Sequence, residues 1–139
     1  MTTKQEYTDA IIKLVPLAQG DTGGSRVAAQ VLLSAYNGND FQLDIVDLCN
    51  LDRRHYQAAL AVIRGRVELR EEPQNYAANG DMVFRDLWQQ WQRLHVTNRG
   101  LPDCFTCHGS GSVYVDPDDD TNYDRKPCPK CGGKGFGSK

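Results

Sequence analysis

Long apolar runs are missing from this 139-residue chain. The longest, such as the stretch from Ala58 to Ile63, fall far short of the roughly 20 residues that a membrane-spanning helix needs. The opening MTTKQEYTDA also lacks the apolar core of a signal peptide, so a cytoplasmic protein without a membrane role is expected. An excess of either charge is missing too. Sixteen Lys and Arg stand against 18 Asp and Glu, a formal net charge of -2. No strong field therefore draws the whole molecule to nucleic acid, and any such contact must be local. The sequence has no Walker-type phosphate loop, no GxSxG elbow and no HExxH pair, and no triad unites His55, His95 and His108. Asp116, Asp118, Asp119 and Asp120 lack the spacing, glycine and terminal Glu of an EF-hand and read as a solvated turn. These absences point away from an enzyme and from a small-molecule substrate.

What is present divides into two kinds of sequence. Residues 1–97 are helical in period and nearly free of cysteine, whereas from Gly100 onward the chain is rich in Gly, Pro, Cys and Asp. In the first stretch Ala10, Ile11 and Leu14 share a helix face, and Pro16 and Gly20 are expected to end that helix. Asp21, Thr22 and Ser25 offer caps for a second helix with the stripe Val27, Ala28, Val31, Leu32 and Ala35. A short helix over residues 41–49 comes next. Asn50 or Asp52 then caps a longer helix with Tyr56, Ala59, Leu60 and Ile63 inward. Asp81 caps the last, whose apolar stripe runs through Phe84, Leu87, Trp88, Trp91, Leu94 and His95. The expected architecture is mostly α: a compact bundle of about five helices over residues 1–97, followed by a separate module over residues 101–139.

That module rests on a duplication. Cys104-Phe-Thr-Cys107-His-Gly109-Ser-Gly111 and Cys128-Pro-Lys-Cys131-Gly-Gly133-Lys-Gly135 are two copies of CxxCxGxG, with twenty residues between Cys107 and Cys128. A CxxC turn brings two thiolates to one ion, and two such turns complete the tetrahedral four-sulfur shell that suits a structural zinc. Glycine two places after the second cysteine permits positive φ and lets backbone N–H groups face the sulfurs. Between the copies, Val113-Tyr114-Val115 followed by Asp116-Pro117-Asp118 reads as a small β-hairpin standing on the site. The segment has too few large apolar side chains for a core. Metal binding has to supply its stability, ~10–16 kcal/mol apparent for a structural zinc near neutral pH.

The paired CxxCxGxG units resemble half of the cysteine-rich region of DnaJ chaperones, in which four such repeats make two zinc sites. They resemble still more closely the single zinc module of lambdoid-phage late antiterminators, which also join CxxCHGxG to CxxCxGxGF across a hairpin, here CFTCHGSG and CPKCGGKGF over residues 104–136. Upstream, SRVAAQVLLSAYNG, FQLDIVDLCNLD and the FRDLWQQW helix are similar to an uncharacterised helical domain of phages and proteobacteria, over roughly residues 21–95. Together the likenesses imply a phage or prophage protein working in a bacterial host. From the antiterminator likeness comes the expectation of contact with DNA or host RNA polymerase to regulate transcription.

Two basic sets are candidates for such contact. Arg53, Arg54, Arg64, Arg66 and Arg70 against Asp52 and Glu68 give the stretch from 52 to 70 a net charge of +3. With the short helix before it, residues 41–69 could form a helix-turn-helix whose second helix reads DNA through Arg53, Arg54 and Arg64. The alternative is an ordinary amphipathic helix with arginines in solvent. The second set, Lys126, Lys130, Lys134 and Lys139 with Arg125 and Arg99, surrounds the cysteines. Cys104, Cys107, Cys128 and Cys131 are thus the expected ligands of one structural Zn2+, and Cys49 is expected as a small buried apolar residue. A redox role for CPKC or haem attachment at CFTCH lacks the required context, a βαβ unit or an export signal. His95 is expected among packing residues, His55 as a cap, and His108 as a spare ligand or a donor within the knuckle. The competing functional class is a non-enzymatic adaptor or inhibitor of a host complex, for instance a defence nucleoprotein. A weaker third is chaperone-like binding of unfolded chains.

Overall fold

The computed structural model describes residues 2–136. It contains α1 (Lys4–Ala18), α2 (Gly23–Tyr36), α3 (Arg53–Glu68), α4 (Gly80–Gln90), and two short antiparallel strands, β1 (Ser112–Tyr114) and β2 (Arg125–Pro127). Short 3-10 turns occupy Ile45–Asn50, Pro73–Tyr76 and Gln92–Leu94. The protein is mostly α with a small hairpin beside the cysteines, as its periodicity indicates. It divides into two compact units, Met1–Gln89 and Gln90–Lys139.

In the first unit each long helix starts on a side-chain cap: Thr3 accepts from the Glu6 N–H, Thr22 from that of Ser25, and Asp52 from that of His55. Helix α2 is the central rod, buried on nearly every side from Val27 to Leu33. That explains why its sequence is apolar beyond a single stripe. Even Gln30 is buried, and its amide clamps the following turn: Nε2 donates to Asp47 Oδ2 at 2.7 Å, and Oε1 accepts from the Asp44 N–H at 3.1 Å. Tyr7, Ile11 and Leu14 of α1 complete the core with Val62 of α3 and Phe84 of α4. Trp88 meets Phe41 edge-on at 4.8 Å.

Five expectations change. Pro16 does not end α1. It sits within the last turn, where it forfeits only its own amide bond while Gln19 N–H still reaches Val15 O at 3.1 Å. The inward face of α3 is Ala58, Ala59, Val62 and Gly65; of the expected stripe Ala59 is fully buried, Leu60 and Ile63 are half-buried, and Tyr56 is 38% exposed. Small residues win that face because α1 lies close: a Cβ on Gly65 would overlap the ring of Tyr7, whose hydroxyl donates to Glu71 O at 2.8 Å. Helix α4 stops at Gln90 rather than running to His95, because Trp91 leaves helical geometry (φ -112°, ψ 33°), and Asp81 lies inside its first turn instead of capping it. Cys49 is exposed, because the Ile45–Asn50 segment is a 3-10 turn none of whose residues is fully buried.

Candidate metal centre

The second unit is built on the duplication. Each CxxCxGxG copy forms a knuckle, and the two knuckles exchange matching backbone bonds. Cys104 N–H donates to Gly135 O at 3.0 Å, and Cys128 N–H donates to Gly111 O at 2.9 Å. The last glycine of each copy then turns its own N–H onto the second cysteine of that copy: Gly111 to Cys107 Sγ at 3.3 Å, Gly135 to Cys131 Sγ at 3.2 Å. Equivalent atoms of the two copies make equivalent contacts, so the sequence repeat is a local two-fold repeat in space. The hairpin is clamped on top, with Ser112 opposite Pro127, Val113 opposite Lys126 and Tyr114 opposite Arg125.

This arrangement brings all four cysteines to one point. Their sulfurs lie within 4.8 Å of one another, with Cys104 to Cys128 at 3.8 Å and Cys107 to Cys131 at 3.7 Å. Those separations are too long for a disulfide, whose sulfurs stand about 2.0 Å apart. They match the edge of roughly 3.8 Å in a tetrahedral thiolate shell with metal–sulfur bonds of about 2.3 Å. Cys104, Cys107 and Cys128 are buried and Cys131 is partly exposed. The donor set, its spacing and the two N–H groups aimed at sulfur fit a metal ion.

The acidities of the thiols are uneven. Burial pushes Cys107 up to about 11 against the Gly111 and Gly109 N–H groups. At Cys131 burial also pushes upward, but the Gly135 N–H and the Cys107 and Cys128 sulfurs outweigh it and bring the thiol to about 7. In neutral solution Cys131 is therefore about half ionised while Cys107 keeps its proton.

Outside the sulfurs, Arg93 holds the entry to the first knuckle. Its side chain is only 10% exposed; Nε donates to Asp103 Oδ1 at 2.6 Å and Nη1 to Asn98 O at 2.8 Å. Nothing in the sequence singles out this pair, since nine residues without α-helix or strand lie between them. His108, expected as a spare ligand or donor, is not in the four-sulfur cluster; it occupies the left-handed region at φ 55° next to Cys107.

The matched family lies mainly on the other unit. Residues 8–92 match the model of the family of unknown function DUF7673. The chain belongs to DUF7673. The match runs from Thr8, inside α1, through α4 and stops short of the first cysteine of the metal centre. No curated protein and no solved structure matches the chain.

The basic candidates separate in space. Arg54 and Arg64 line one groove between α1 and α3 with Lys13, Glu6 and Asp9. Arg53 faces a different depression, with Ile45, Leu48 and Tyr56. The set is therefore split, and one part of it faces acidic residues, because a turn of helix carries adjacent arginines to different sides. On the second unit Lys126, Lys130 and Lys134 are all exposed, and Arg125 stacks 4.5 Å from the centre of the Tyr114 ring. Lys139 lies outside the described residues. Among the described residues no helix is long and apolar enough to cross a membrane.

Proposed function

We propose that the chain is a non-enzymatic regulatory protein of a phage or prophage, in which one structural zinc held by Cys104, Cys107, Cys128 and Cys131 orders a docking module. The observation that carries this reading is the convergence of four sulfurs within 4.8 Å, two pairs of them at the edge length of a tetrahedral thiolate shell. Zinc is the ion of choice for an all-thiolate tetrahedral shell, and such a shell keeps no open position for a substrate. The module then acts through its surface. Transcription is the regulated process in the favoured version, through contact with DNA or host RNA polymerase, supported by the likeness of the CxxCHGxG and CxxCxGxGF knuckles to late antiterminators and by the exposed Lys126, Lys130 and Lys134.

A second reading, an adaptor or inhibitor that docks on another host complex, draws on exposed apolar groups. Ile45 is 75% exposed, Tyr123 75% and Phe105 90%. Affinity capture from a bacterial host with the intact protein and with the Cys128→Ser, Cys131→Ser variant separates them. Recovery of polymerase subunits by the intact protein alone supports the first reading, and recovery of an unrelated complex supports the second. Equal recovery by both proteins would contradict a role for the metal module. DNA contact is tested by binding at rising salt: a steep loss of affinity, deepened by Arg53→Ala with Arg54→Ala, is expected, and salt-insensitive or undetectable binding removes direct DNA recognition.

A further inference from the structure

We propose that the groove beside the β1–β2 hairpin docks an acidic peptide segment of a partner protein, one that seats an apolar side chain between flanking carboxylates. The proposal rests on the metal-ordered reading of this unit and names the partner chemistry. The groove encloses about 510 Å³, room for a few side chains and not for a folded surface. Tyr114, Val115 and Pro117 give it an apolar wall, while His108, Arg125 and Lys126 bring donors and positive charge. Among the described residues no carboxylate lines it. That is notable in a unit with Asp103, Asp116, Asp118, Asp119, Asp120 and Asp124.

The cationic side is set before any ligand arrives. Arg125 Nε donates to Ser112 Oγ at 2.8 Å and its Nη2 to Ser112 O at 2.9 Å, with the guanidinium stacked on Tyr114. An arginine already held in place gives up little side-chain freedom on binding. Tyr114 and Val115 beside it are 44% and 48% exposed, so apolar surface remains to be covered.

A peptide fits this field better than a nucleic acid strand. Four thiolates around a divalent ion carry a net -2, and the aspartates of the hairpin turn follow directly on Val115. Those charges oppose any anion, so they favour a ligand with only the two carboxylates that meet Arg125 and Lys126 over a phosphate chain charged at every nucleotide. An extended peptide places alternate side chains on opposite faces, so its carboxylates can meet Arg125 and Lys126 while an apolar residue meets Tyr114.

The test is an NMR titration of the zinc-loaded full chain with three probes: a short peptide alternating Asp or Glu with Leu, the same peptide with Asn and Gln replacing the acids, and a thymidine oligonucleotide. The acidic peptide should move the amide signals of Val113, Tyr114, Val115, Arg125 and Lys126, and Lys126→Glu should weaken it about tenfold. Tyr114→Ser, which leaves the charges in place, should weaken it as well. Equal binding of the amide peptide, occupation of these positions by the oligonucleotide instead, indifference to both substitutions, or no shifts there would each overturn the proposal. Zinc content measured by elemental analysis on the same samples separates the two levels: one zinc per chain with no peptide binding removes the groove alone, and no bound zinc in the unsubstituted protein removes the metal reading beneath it.

Discussion

A Cβ on Gly111 would stand 2.6 Å from the carbonyl oxygen of Gly133. The mirrored contact exists as well, Gly135 against the Gly109 oxygen at 2.6 Å. Both last glycines have positive φ, +83° and +86°. Alanine at either place meets backbone, which cannot step aside as a flexible side chain could, and it must hold a strained φ besides. We expect Gly111→Ala or Gly135→Ala to cost at least about 2 kcal/mol and to remove stoichiometric metal from the purified protein, checked by elemental analysis. Gly132 also has positive φ, +66°, but open space around its Cβ position, so Gly132→Ala carries the backbone strain without the clash; it should cost only about 1 kcal/mol and keep its metal.

The duplicated knuckles differ at one left-handed position. The second copy has Gly132 at φ 66° and the first has His108 at φ 55°. Histidine tolerates that region less well than glycine. His108→Gly should therefore strengthen the first knuckle by about 0.5–1 kcal/mol, seen as slower loss of metal to a chelator. The same substitution should weaken the acidic peptide, because His108 lines the groove. A variant that loses metal faster than the parent would contradict the assignment of strain to this residue.

Much of this second unit was legible in the sequence because its determinants are short-range. CxxC fixes two sulfurs in one turn, glycines mark the positive φ values, and the repeat itself states that the copies do the same thing. The alternation of Val113, Tyr114 and Val115 gave the hairpin for the same reason. Other features were decided by distant neighbours. Tyr56 reads as inward on periodicity, but the approach of Tyr7 to Gly65 selects the alanine face of α3 instead. Cys49 looks like core until its segment winds as a 3-10 turn on the surface. The Arg93–Asp103 pair and the carboxylate-free groove have no local signature, since each assembles side chains that only the folded chain brings together.

Acid should strip the metal. Binding requires thiolates, so protons compete with the ion, and affinity must rise with pH wherever free thiols still carry protons. Cys131 loses its proton near 7 and Cys107 only near 11 in the metal-free cluster. Between those values each step upward in pH removes a competing proton at Cys107; below about 7 a proton at Cys131 competes as well. Competition with a metal indicator across this range should show affinity falling continuously toward acid and most steeply below 7. A pH-independent affinity would contradict thiolate ligation.

Arg93 and Asp103 should couple. The guanidinium is nearly enclosed and the carboxylate about half exposed, so the bond is charge-assisted yet partly screened by solvent. Arg93→Met should cost about 1–2 kcal/mol, and Asp103→Asn less, because an amide oxygen can still accept. Denaturant unfolding of the two single variants and the double variant, all metal-loaded, checks this: the double should cost less than the two singles added together, and strict additivity would mean the pair does not cooperate.

The decisive measurement is the metal content of the native protein together with the absorption of its cobalt-substituted form. Four converging sulfurs predict one zinc per chain and the intense thiolate-to-cobalt bands of a tetrahedral site, both abolished by Cys128→Ser with Cys131→Ser. A second unit that folds without any bound metal, or a spectrum lacking thiolate bands, would contradict the account.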